Sequence, residues 1–230
     1  MEKFDFSLIV RQMGLSFACS IIGVMLGSGF ASFLFIVDKD IIKIILSAWL
    51  KRVTFGVEYF GGDYRLWFIV NNLIAFMMIV VSIVLLVSMF IKRRKMQISY
   101  FKNYEEKHPL VTLYSLYMIP IGALIINSAL VSLFLTFIFF DQGAASFSTA
   151  FTLMMPHGAY EFIALILTSS YGLAYIKMIK QFVLKKNWRA VVKTSKQIFF
   201  SQTSVIFIIM ILILVVFGGI IEGSLSMMLK

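Results

Sequence analysis

Four stretches of this chain, residues 14–37, 66–91, 110–140 and 197–221, contain no Asp, Glu, Lys or Arg. They run for 24, 26, 31 and 25 residues, and each reaches the roughly 20 apolar residues that a helix needs to cross a bilayer. In hydrocarbon every backbone N–H and C=O must be satisfied inside the protein, so runs of this length point to helices. With 60% hydrophobic and 14% charged residues, the chain departs from the roughly 45–50% and 25% typical of soluble domains. These features exclude a soluble enzyme with an ordinary core, a disordered tail and a secreted disulfide scaffold. Cys19 is the one cysteine and cannot form an internal bridge. The expected fold is all-α: a polytopic membrane helix bundle forming a single integral membrane domain over residues 1–230.

The net charge of +10 would suit nucleic acid, but the cations flank the apolar runs, where they report topology. No nucleic acid is expected as a partner. With the N-terminus inside, Lys and Arg number 2 in residues 1–13, 6 in 92–109 and 7 in 177–196, 15 in all, against 6 on the other side. That bias predicts a multi-pass protein of the cell membrane, N-terminus cytoplasmic and C-terminus outside. The same cations can meet anionic headgroups of the lipid bilayer.

Five spans are expected, at about 14–37, 66–91, 112–140, 156–176 and 198–220, after a short mixed-charge lead of residues 1–13. Gly23 and Gly27 form a small-xxx-small step for close helix packing. Asp38 or Asp40 can cap an interfacial helix at about 40–53, where Trp49 stands beside Lys51 and Arg52. Asp63 can cap the second span, and Pro120 is placed to kink the third. Residues 144–155 are too few to cross and read as a re-entrant or interfacial half-helix. Pro156 suits the first position of the fourth span, and residues 177–196 read as a basic loop.

Polar residues inside spans are costly, and each needs a reason. Asn71 and Asn72 lie about 9 Å in from the outer end of the second span, and Glu161 about 7 Å in from that end of the fourth, at 1.5 Å per residue. They share a depth. His157 stands four residues before Glu161, on the same helix face. Glu222 follows the outward end of the last span, and Asn127 lies deeper, near the middle of the third. Asn71, Asn72, Asn127, Pro156, Gly158 and Glu222 thus make a candidate polar intramembrane cluster around His157 and Glu161. His157 and Glu161 could ligate a divalent metal, or serve as catalytic acid and base in peptide-bond chemistry. The simpler reading is interhelical hydrogen bonding from a helix that starts at Pro156. No cofactor is expected, with a metal at His157 and Glu161 as the alternative.

The stretch Met155-Pro156-His157-Gly158-Ala159-Tyr160-Glu161 resembles the PHG-x-x-E signature of the stage II sporulation protein M family of membrane proteins. Phe68-Ile69-Val70-Asn71-Asn72 resembles that family's paired-asparagine helix start, and Ile119-Pro120-Ile121-Gly122 through Asn127 its later Asn-Gly segment. Ser128 replaces that glycine here, and an aliphatic run replaces the glycine-rich continuation after the asparagine pair. The resemblance spans roughly residues 66–176. It implies one of two settings: a scaffold for cell-wall enzymes in envelope remodelling, or a subunit serving circular bacteriocins beside a small ATPase. Lys, Ile and Phe usage suits a low-GC Gram-positive source and the second setting.

The expected function is therefore a non-catalytic membrane subunit supporting maturation, cyclisation or export of a hydrophobic peptide. The chain has no G-x-x-x-x-G-K loop of its own, so any energy input must come from a partner, for which the resemblance implies a cytoplasmic ATPase. Self-association into a homo-oligomer is a further expectation. Two alternatives stand beside this reading: an intramembrane peptidase or peptide ligase using His157 and Glu161, and an envelope-remodelling scaffold.

Overall fold

The computed structural model describes the backbone of residues 4–95 and 109–228, and the side chains within them except those of 46, 49, 50, 75, 78, 82–95, 157 and 225–228. The described chain is helical, without strands: α1 (Phe6–Val37), α2 (Lys39–Tyr59), α3 (Tyr64–Lys95), α4 (Pro109–Leu184), α5 (Trp188–Phe199) and α6 (Gln202–Met228). Five stretches in it are long and apolar enough to cross a membrane: Phe6–Val37, Tyr64–Val81, Pro109–Pro156, Gly158–Leu184 and Gln202–Ser224. The protein is an all-α bundle of the multi-pass membrane kind.

Short polar side chains set the helix starts. Residues 6–13 of the expected lead already belong to α1, which begins at Phe6, where Asp5 in an extended conformation accepts the Leu8 N–H. The Ser7 hydroxyl also donates to Asp5, at 2.7 Å. These two bonds, the Ser7 hydroxyl foremost, favour the ionised carboxyl and hold Asp5 below its usual pKa. Because the folded pKa is lowered, the cap is fully present above the ordinary aspartate value and is lost as pH falls through the lowered one. Hydrogen exchange at the Leu8 amide should therefore speed up below pH 3.8 relative to the middle of α1; equal behaviour of the two would contradict the cap. Asp38 caps α2 through the Asp40 N–H, and Asp63 caps α3 through the N–H groups of Arg65 and Leu66. The α2 helix runs on to Tyr59, past the expected end at 53.

The fourth helix departs from the expected punctuation. Pro120 and Pro156 both lie inside helical stretches, and the break falls at Gly143, whose φ of 87° suits glycine. Pro156 does not begin a helix: residues 144–155 are helical and continue without interruption into the stretch carrying Glu161. A proline removes one helical donor, here the one facing the Thr152 carbonyl, and the rest of the ladder persists. Gly143 divides α4 into a first limb, 109–142, and a second, 144–184. The expected loop at 177–196 is likewise helical at both ends, with α4 reaching Leu184 and α5 starting at Trp188. Val191, Thr194 and Ile198 recur at helical spacing and are buried, while Arg189, Lys193 and Lys196 are exposed, so α5 is amphipathic.

Small residues fix the packing. A Cβ on Gly23 would stand 2.5 Å from the Ile125 carbonyl oxygen, and one on Gly27 2.1 Å from that of Ala129. The seam between α1 and the first limb of α4 thus runs backbone to backbone, and hydroxyls of Ser28 and Ser132 bond across it. A second such step, Gly219 and Gly223 of α6, lies against Ile69 and Arg65 of α3. The stretch Gly158–Leu184 of the second limb is the central one: 78% of its apolar window is buried, against 33% or less in each other span. It runs antiparallel to α1, with Ser16 and Ser170 hydroxyls 2.9 Å apart. Tyr171 stacks on Phe207 of α6 and meets Phe4 edge-on, closing that end of the bundle.

Candidate functional site

The Gly219/Gly223 step brings α6 close to the start of α3, and the second limb of α4 passes beside both. This places side chains from three helices within reach at one level. Asn72 of α3 donates its amide N–H to Oε1 of Glu161 on α4. The carboxyl of Glu222 on α6 comes in beside that of Glu161, close enough for the two to interact. Carboxylates are acceptors only, so the two could bond to each other only with a proton between them.

The network continues toward the helix ends. The Asn71 amide lies 3.5 Å from Oδ1 of Asn72, at the weak limit of a hydrogen bond. Arg52 of α2 donates from Nη2 to Oδ1 of Asn71 at 3.2 Å. Arg52 is exposed, whereas Asn71, Asn72, Glu161 and Glu222 are half-buried. A continuous polar path thus leads from an exposed guanidinium through two amides to a pair of carboxyls.

Of the residues singled out in the sequence, Asn71, Asn72, Glu161 and Glu222 come together in the structure. Asn127 does not join them: it is exposed, while Leu124 and Ser128 on either side of it are buried. An all-apolar span gives no contrast between its lipid face and its core face, so the side of the helix that Asn127 occupies was not readable from the pattern. Pro156 is exposed, and Gly158 is half-buried inside the helix with nothing within 4 Å of a built Cβ. The His157 side chain lies outside the described residues, as does that of Trp49. Arg52 is the member that sequence reasoning missed; its place one position after Lys51 on a lipid-flanking helix disguises it as a topology signal.

Chemically, two carboxyls and an amide can hold a proton between helices, or accept donors from a peptide group that displaces Asn72. Among the described residues no group of three or more His, Cys, Asp or Glu side chains is gathered as a metal site would require. Comparison of the chain with protein-family models, with curated proteins and with solved structures finds no match.

Proposed function

We propose that this integral membrane protein is a non-catalytic subunit that supports maturation, cyclisation or export of a hydrophobic, circular-bacteriocin-like peptide, together with a cytoplasmic ATPase. One observation carries the reading. The acidic residue of the PHG-x-x-E stretch, Glu161, is hydrogen-bonded to Asn72, the second residue of the asparagine pair 89 positions away. The two segments that resemble the stage II sporulation protein M family thus form one site, with His157 one helical turn from Glu161.

The partner side follows from charge. Lys177, Lys180, Lys185, Lys186, Arg189 and Lys193 are all exposed around α5, and no Asp or Glu occurs between residues 162 and 221. With this end in the cytoplasm, as the cation bias predicts, it offers a dense positive surface to an acidic face of an ATPase or to anionic lipid.

The subunit reading is supported by the bond from Asn72 of α3 to Glu161 of α4, which gives the carboxyl a structural task between two helices. Glu161→Gln separates the readings. Glutamine can accept from Asn72 and donate to Glu222, so the subunit reading expects the folded variant to sustain peptide production. A folded variant with no processing would replace this reading by the peptidase or ligase. Co-purification of an ATPase with the wild-type chain is the companion result. Recruitment of cell-wall enzymes, with peptide production unaffected by deleting the protein, would favour the envelope scaffold instead.

A further inference from the structure

Asn127 makes no hydrogen bond among the described residues and is exposed. Its depth can be read from the helix seam. Ile125 and Ala129 on either side of it pack against Gly23 and Gly27, and these two glycines straddle the centre of the uncharged run 14–37. Asn127 therefore stands near the bilayer midplane, on the side of α4 that α1 leaves uncovered. The paired asparagines of α3 differ, since both are bonded within the fold.

An amide facing lipid tails loses its hydrogen bonds to water and gains none in return. Ile126 is 63% exposed and Leu130 54%, and with Asn127 between them they make a single exposed stripe along one side of the helix.

We infer that this stripe of the first limb of α4 is the interface of a parallel homodimer in which the Asn127 amides of two copies hydrogen-bond to each other. Self-complementarity selects a second copy over another partner. A primary amide carries donors and an acceptor, so a twofold axis lets each copy donate to the other. Two copies inserted in the same orientation share an axis along the membrane normal, and only then does a residue meet its own counterpart at equal depth. The inference is independent of the function proposed above.

The test is self-association of the full chain in phosphatidylcholine vesicles, followed by resonance energy transfer between donor- and acceptor-labelled copies as the protein-to-lipid ratio is varied. The wild type should dimerise. Asn127→Leu, on an exposed site that leaves the fold intact, should weaken dimerisation by roughly tenfold, and Asn127→Gln, which keeps donor and acceptor, should restore most of it. A chain monomeric at every ratio, a Leu variant that dimerises as well as the wild type, or energy transfer that appears only when a different membrane protein is added would overturn the inference.

Discussion

Replacing Gly27 with leucine is expected to force α1 away from the first limb of α4 and to destabilise the bundle by about 3 kcal/mol or more, at or beyond the upper end of ordinary overpacking. The reason is what the added atoms would meet. A Cβ at position 27 would sit 2.1 Å from the carbonyl oxygen of Ala129 and 2.7 Å from its Cα, and backbone cannot swing aside as a flexible side chain can. The displacement also breaks the hydroxyl bonds just beyond the contact, from Ser132 to the Val24 carbonyl at 2.8 Å and from Thr136 to Ser28 at 3.3 Å. Gly29 supplies the control. It lies two positions on in the same helix with nothing within 4 Å, and its exchange for leucine should leave stability within about 0.5 kcal/mol or improve it slightly through helix propensity. Thermal unfolding in one detergent reads both; equal melting of the two variants would remove the seam from the account.

The second large effect is expected at Glu161. Exchange for leucine removes the group that joins Asn72 to Glu222 and leaves an amide and a carboxyl facing apolar surroundings, a loss of about 3 kcal/mol. Glu161→Gln should cost less than about 1 kcal/mol, because its amide can satisfy both neighbours. The contrast between leucine and glutamine matters more than either value. A merely lipid-facing glutamate would make leucine the better residue and reverse the order.

Much of this architecture is legible in the chain itself. Uncharged runs of at least 24 residues leave few options in a bilayer, and Asp38 and Asp63 cap the helices that follow them because short acidic side chains reach the first free N–H groups. The spacing of Gly23 and Gly27 announces a close seam. The same spacing at Gly219 and Gly223 carried the same information, and the i, i+3, i+7 recurrence of Val191, Thr194 and Ile198 marked α5. Other features lacked a local signal. Pro120 and Pro156 are the stronger helix breakers in isolation, yet the turn comes at Gly143, whose positive φ is dictated by how the two limbs of α4 pack. The polar site was legible as to depth, since residues equally far from span ends share a level whatever the orientation. It was not legible as to face. Nothing in the pattern says that Asn72 faces its neighbours while Asn127 is left exposed, and Arg52 joins Asn71 through a fold-back of α2 that no spacing encodes.

The central claim is that amide and carboxyl groups from separate helices are coupled inside the membrane, and a double-mutant cycle between Asn72 and Glu161 measures it most directly. Asn72→Leu, Glu161→Leu and the double variant are compared by reversible unfolding in a single detergent. The bond between them predicts a coupling of about 0.6–2 kcal/mol, with the double variant less destabilised than the sum of the two single ones. Strictly additive losses would show that the two side chains do not meet.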